Sequence, residues 1–421
     1  MPHSPLPDNL LYDPRDPAVM ANPFPAYARL QTEDPVHWSP VLKSWVVTRY
    51  ADVRSVLLHD AMSVSKLDAF YQSLPASDAA RMRDIVHYLN LWVAFQDPPQ
   101  HTRMRTIMRK AFMASSFNSM EGDIGNIVDQ LLDALYGRDR IDFIADFALL
   151  VPAYVIMDLL GVPRDRLSEI KAWADDMAVF IAGARNADDK YVRAERGCKN
   201  MAGFFRELVD QCRAGGGSGF LTDLVNADEG GDALTDDELI ATCILILFAG
   251  HETTTNLIGN SLLTLLKHPD HYSEFKDNPA INNLACEELM RFDGTSNGIV
   301  RTVSKDHPLG DKILKAGDRV YVMLNAANRD PEVFDQPDTL ILNRKPNRHL
   351  VFGTGIHTCL GVQLARQEGR TALRSFADRF PDVSLIDDAP PVWQDAMVPR
   401  GTKTMPIRLN GKTSLTEQNN A

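Results

Sequence analysis

The sequence predicts a mainly α chain with small β-sheets, and three observations predict it. From Asn118 to Cys212 the pattern is mainly helical, over stretches that include Ile124 to Leu135, Phe143 to Leu160 and Arg164 to Ala182. Thr235-Asp236-Asp237-Glu238 is a capping box, in which a Thr and a Glu three residues on satisfy each other's backbone amides. The helix it opens runs to about Lys267, before Pro269 stops it. Strand patterns are short and few: Val36 to Trp38, Ser44 to Thr48 beyond Pro40, and Arg319 to Leu324 after the turn Lys315-Ala316-Gly317-Asp318.

Composition bounds the class. The 421 residues are 44% hydrophobic and 24% charged, as expected of a globular chain with a large core. A net charge of -12 disfavours nucleic acid as a partner. The five cysteines, Cys198, Cys212, Cys243, Cys286 and Cys359, have no Cys-x-x-Cys spacing, which argues against a zinc ribbon, an iron–sulfur module or a disulfide framework and suits reduced thiols in the cytoplasm. Met1 to Asp16 carries prolines and acids where a signal peptide or membrane anchor would need a basic residue and an apolar run, and no stretch approaches the roughly 20 apolar residues of a membrane span.

Along the chain, residues 1–20 are proline-rich and read as an extended arm, 21–410 as the folded domain and 411–421 as a disordered polar tail. Helices are expected over Pro25 to Gln31 and Ala51 to Leu58. Ala61 to Gln96, which holds Lys66, Tyr71, His87, Tyr88 and Trp92, has no single period. Asp97-Pro98-Pro99 supplies a cap residue and helix-starting prolines. On the helix that follows, His101 and Arg105 are four residues apart and share a face suited to a pair of carboxylates. Nearby Arg103, Arg109 and Lys110 complete a basic cluster with Arg105, read either as a solvated face or as a docking patch for an acidic partner. The glycine run at 215–219 lacks the lysine of a phosphate loop.

The chemistry concentrates at the segment Phe-Gly-Thr-Gly-Ile-His-Thr-Cys-Leu-Gly, Phe352 to Gly361. It sets one cysteine, Cys359, after a loop containing Gly353 and Gly355 and before the helical segment Leu360 to Phe380. A thiolate at a helix start meets unpaired amides and the positive end of the helix dipole, so it can stay ionised as a metal ligand. Glycines let the backbone approach a large flat cofactor, and haem iron held by cysteine thiolate fits the arrangement. The segment resembles the haem-ligand signature of the cytochrome P450 family, Phe-x-x-Gly-x-x-x-Cys-x-Gly, with Phe352, Gly355, Cys359 and Gly361 at every fixed position.

Three further motifs follow the family's order. In the long helix an apolar run turns abruptly to Ala249-Gly250-His251-Glu252-Thr253, which resembles Ala/Gly-Gly-x-Glu/Asp-Thr. The resemblance implies that small Ala249 and Gly250 leave room for dioxygen and substrate, while Thr253 and Glu252 manage protons at the bound oxygen. His251 is read as a structural or solvent-facing neighbour. Glu288-Leu289-Met290-Arg291 matches the family's Glu-x-x-Arg pair, with Arg344 as the third member of a lock on the haem-binding core. His101-Thr102-Arg103-Met104-Arg105 resembles the propionate-binding helix, so His101 and Arg105, with Arg301 and His357, are implied partners of the haem propionates.

The resemblance implies the cytochrome P450 fold in a single large haem domain, haem b as cofactor, and a soluble, bacterial-type monooxygenase acting on an apolar small molecule with dioxygen. Electrons would come from a separate ferredoxin and its reductase, and the protein is expected to be a monomer. Substrate-pocket candidates are Trp92, Ala249, Thr253, Asn297, Ile299, Met397 and Val398, with Phe180 to Ala194 where the family has its pocket lid. Thr295 stands where the family usually has proline. A peroxygenase using hydrogen peroxide and a non-catalytic haem protein are the rival readings; the Glu252–Thr253 pair argues against the first and would be unnecessary in the second.

Overall fold

A computed structural model describes residues 12–65, 67–72, 74–114, 117–181, 189–216 and 219–410. Its axis is the helix Asp236–Lys267, which spans about 48 Å at 1.5 Å per residue. The capping box is formed as read: Glu238 donates its N–H to Thr235 Oγ1 at 3.3 Å, and Thr235 donates to Glu238 Oε2 at 2.9 Å. Side chains 239–247 and 254–265 are buried, because helices Leu150–Leu160, Lys190–Gln211, Asn282–Phe292 and Val362–Arg379 pack around them. Phe143, Phe147 and Phe376, with ring centroids 4.8 to 5.5 Å apart, knit this helical core.

A five-stranded sheet carries a second, smaller core of valines and leucines. Its spatial order is Val36–Ser39, Ser44–Val47, Arg319–Val322, Ile299–Val303 and Met62–Ser63. Ser44–Val47 runs parallel to Arg319–Val322, and the other pairs are antiparallel. Among the described residues no helix is long and apolar enough to cross a membrane.

Several expectations change in detail. The helix read over Phe143 to Leu160 has a π-helical first turn, Ile144–Ala148, ahead of Leu150–Leu160. Asp97 does not spend its carboxylate on the helix that follows; it accepts from Ser63 Oγ and from Val64 N–H, tying that helix start to the sheet edge. The extended arm is not extended where it is described. Tyr12 is buried 5.8 Å from the Tyr27 ring, and Asp16 caps a short helix, Pro17–Ala21. Residues 1–11, the 411–421 tail, Lys66, and 182–188 of the interval read as a pocket lid lie outside the described residues.

Candidate active site

The segment 352–361 is closed by its own backbone: Cys359 donates its N–H to Phe352 O at 2.9 Å, and Gly353 donates to Leu350 O at 2.8 Å. Gly355 is required there, because its φ is +77° and a Cβ would lie 2.9 Å from Leu58 Cδ2. Gly361 is the N-cap of helix Val362–Arg379, which sets Cys359 two residues ahead of it. Burial pushes the Cys359 thiol up, against the pull of the Gly361 N–H, Arg105 and Arg366. Cys359 is nonetheless exposed at its surface, and the helix start and the two arginines favour its thiolate. A metal cation would supply the remainder, since a coordinating thiol is deprotonated outright.

Four cation-forming side chains gather at this loop. His101 and Arg105 lie one turn apart on helix Gln100–Ala114. The His101 and His357 rings are 4.2 Å apart, and Arg105 donates to Thr358 O at 2.5 Å. Burial, then the charges of His101 and Arg301, push His357 down to about 4. Burial also pushes Arg301 down to about 10. Asp97 opposes both shifts, but it is already engaged with Ser63 and Val64. A buried group of two arginines and two histidines that lowers its own proton affinity is a receptor for negative charge. His101 Nδ1 is buried without a protein partner. The set fits the two propionate carboxylates of a haem, with Cys359 beside it to ligate iron.

In the long helix, Ala249 and Thr253 are accessible and 250–252 between them half-buried, although the stretches 239–247 and 254–265 are buried. Thr253 Oγ1 donates to Ala249 O at 2.8 Å, the i−4 back-bond that small polar side chains make in helices. Burial pushes the Glu252 carboxyl up; Asp175 adds to this and Lys171 opposes it. Those two form a solvent-exposed ion pair of 2.6 Å on helix Leu167–Ile181, which the sequence motif did not contain. His251 is structural as read, donating Nδ1–H to Leu247 O at 2.8 Å. At Gly250 a Cβ would meet Ile156 Cδ1 at 2.6 Å, so its small size also admits the neighbouring helix Leu150–Leu160.

Behind the loop, Glu288 is fully buried and accepts from Arg291 Nε at 2.7 Å and from Arg344 Nε at 3.0 Å, with Asn347 and the Ile341 N–H completing its partners. The neighbouring Glu287 takes Arg366, Arg370 and His349, and Arg366 covers the Phe352 ring at 4.9 Å. Sequence reading passed over Glu287, although it directly precedes the Glu-x-x-Arg pair.

A cavity of about 620 Å³ is lined by Leu89, Phe95, Phe180, Ile181, Met397 and Val398, among others. Met397 and Val398, named from the sequence as pocket candidates, line this cavity. Trp92 is corrected: it is buried behind the wall, stacked on Phe95 at 5.7 Å and touching Phe248 at 5.6 Å, and so bridges the cavity to the Ala249 turn. Asn297 is also corrected, because its amide is used inside the protein, donating to Met397 O at 3.3 Å and facing Asn325. Ile299 packs into the small sheet core. Phe180 opens the interval read as a pocket lid, whereas no pattern singles out Leu89 and Phe95, because 61–96 has no single period.

The basic cluster is not one free patch. Arg103 pairs with Asp232 at 3.0 Å and with Glu238, Lys110 donates to Asp228 O, and Arg105 turns inward to the cysteine loop. Arg109 remains exposed.

Comparison with known proteins identifies the family. The family model for Cytochrome P450 matches residues 43–278 and 281–397. A vitamin D(3) 25-hydroxylase of Pseudonocardia autotrophica is 36% identical over 93% of this chain and 95% of its own. A biotin-biosynthesis cytochrome P450 of Bacillus subtilis is 33% identical over 87% and 91%. Among solved structures, P450BioI in complex with a hexadec-9Z-enoic acid ligated acyl carrier protein superposes with a TM-score of 0.86 at 31% identity, over 93% of this chain and 99% of that one. CalO2 does so with 0.87 at 29%, over 96% and 99%. With a thiol loop, an anion-seeking cluster and a polar break in the long helix on one scaffold, the chain belongs to the cytochrome P450 family and is a monooxygenase whose cofactor is haem b.

Proposed function

We propose that the chain inserts one atom of dioxygen into a C–H or C=C bond of an apolar small molecule and reduces the other atom to water with two electrons and two protons. The electrons come from a separate ferredoxin and its reductase, and the protein works as a cytoplasmic monomer. Haem b, when bound, supplies the oxidising chemistry. The protein holds it and moves protons. Cys359 Sγ ligates the iron, in a loop shaped by Phe352, Gly353 and Gly361, and His101, Arg105, Arg301 and His357 take the propionates.

Burial shifts the Glu252 carboxyl towards its neutral, proton-carrying form, and protons reach it from the Lys171–Asp175 side. Thr253 Oγ1, with its hydrogen engaged at Ala249 O, presents lone pairs and so orients a proton donor in the reaction space. This pair at the accessible break in a buried helix is the observation that carries the reading. A peroxygenase needs no such acid path, and a haem protein that only binds a ligand needs none either.

The cavity, whose mostly apolar wall also carries Arg15, Arg319, Tyr321 and Asp395, is within the size range of drug-sized ligands. Together with the names of the relatives, it supports an elongated, sterol- or long-acyl-sized substrate.

The experiment is a difference spectrum of the reduced protein with carbon monoxide, followed by titration with sterols and long-chain acids and by oxygen-uptake assays with a ferredoxin system. A red-shifted thiolate band lost in Cys359→Ser, a substrate-induced spin shift and product formed with oxygen uptake are expected. A thiolate band retained in Cys359→Ser would overturn the ligand assignment, and oxygen uptake unaffected by every bound substrate would overturn the catalytic one.

A further inference from the structure

The helix Arg83–Asn90 supplies Leu89 to the cavity wall, yet little within it holds it helical. It has 8 residues, where an isolated helix needs roughly 12–15 to be even marginal in water. Its N-cap is Met82, and no side chain of its own caps it. The missing acceptor comes from another helix, Lys190–Gln211. Glu195 accepts from the Asp84 N–H at 3.2 and 3.1 Å through its two oxygens and from the Ile85 N–H at 3.0 Å. That carboxylate is buried, and negative charge is favoured where a helix begins. Lys199 closes the contact, 3.2 Å from Glu195 and 3.8 Å from Asp84.

The helix that carries Glu195 is bound to its neighbour Leu167–Ile181. A Cβ on Gly197 would lie 2.5 Å from Trp173 O and 2.9 Å from Asp176 Cβ, so the two backbones are as close as they can be. Asp176 pairs with both Arg193 at 2.8 Å and Arg196 at 2.6 Å. The pair is one packed unit, and it supplies Phe180 and Ile181 to the cavity. One side of the cavity is therefore part of the pair, and a second side is a short helix capped by it.

We propose that Glu195 is a positioning residue that makes the wall helix Arg83–Asn90 conditional on the seating of the paired helices, so that the two sides of the substrate cavity form and separate together. This rests on the cavity being the substrate site of the proposed monooxygenase. When the pair lifts, the amides of Asp84 and Ile85 lose their acceptor, the short helix loses its cap, and Leu89 is released with it. A substrate then meets one concerted opening rather than two independent ones.

The test uses holoenzyme of wild type, Glu195→Ala and Glu195→Gln, with clotrimazole as probe, an azole that ligates haem iron and is bulky enough to need the cavity open. Stopped-flow gives its association and dissociation rates, and hydrogen exchange reports residues 83–90. Loss of a cap shifts the helix equilibrium roughly fivefold and at most about thirtyfold. Glu195→Ala is expected to speed both clotrimazole dissociation and exchange over 83–90 by that factor, and Glu195→Gln, which keeps a carbonyl acceptor, by less. Faster exchange with dissociation at the wild-type rate would mean a purely local cap and overturn the proposal, as would exchange equal to wild type. If Glu195→Ala fails to retain haem, Glu195→Gln carries the same comparison. The carbon monoxide band is recorded first: a wild type without a thiolate band overturns the proposed function, whereas a normal band with unchanged rates overturns only the role of Glu195.

Discussion

Arg344 donates its Nε to both carboxylate oxygens of Glu288 at 3.0 Å, across 56 residues of chain, while Arg291 takes the same carboxylate from one helical turn away. Neither arginine depends on Glu288 alone. Arg291 also donates to Asn328 O and Pro337 O, and Arg344 to Asp335 O and Gln336 O. One buried anion thus joins helix Asn282–Phe292 to the segment that leads into the cysteine loop.

Removing that anion should be severe. Glu288→Ala leaves two buried guanidinium groups uncompensated, which costs on the order of 3–5 kcal/mol. Urea unfolding of the holoenzyme followed by the haem band should show the loss, with haem released at lower urea than in wild type. A change under about 1 kcal/mol would mean that the network is not a lock.

The adjacent Glu287 predicts acid sensitivity. Burial alone would raise its carboxyl, but hydrogen bonds and charge from His349 and Arg366 bring it down from 4.5 to about 2. A depressed carboxyl contributes stability above its unfolded value and loses it as pH falls through the folded one. Between about pH 4.5 and 2 the loss is on the order of 3 kcal/mol. Glu287→Gln should be less stable at neutral pH and show a shallower fall in stability over that window. A variant with the wild-type pH slope would remove Glu287 from the account.

Thr253→Ala should keep the fold, since Thr253 is accessible and bonds only to its own helix. Proton handling by a positioned side chain is worth at least about a hundredfold in many enzymes. Here the expected sign is a product yield per electron reduced by about tenfold or more, with hydrogen peroxide released instead, and recovery in Thr253→Ser. Equal coupling in Thr253→Ala and wild type would deny the hydroxyl its role.

Gly250→Ala tests which face of the long helix its smallest residue serves. The new methyl would press on Ile156 Cδ1, an overpacking cost of about 1–3 kcal/mol. Ile156→Val removes that atom, so a double-mutant cycle by urea unfolding should show the pair costing less than the sum of the singles. Strict additivity would leave Gly250 to the oxygen side of the helix alone.

Much of the site was legible in the sequence because it is local. The capping box, the cysteine loop with its positive-φ glycines, the i, i+3 pair Glu288–Arg291 and the one-turn spacing of His101 and Arg105 are each fixed by backbone geometry over a few residues. Arg344 was also reachable, because its place before the loop was part of the family pattern.

What only the tertiary structure decided was the direction in which each side chain spends its polar or steric capacity. Gly250 turned out to face Ile156, Asn297 to hold the hairpin at Met397, Asp97 to tie the sheet edge and Arg103 to pair with Glu238. Glu195 caps a helix 110 residues before it, with no local pattern to announce it. Periodicity determines which face of an element a residue occupies, but the partner on that face comes from a distant part of the chain, and hydrogen bonding and excluded volume act only once folding has brought the two together.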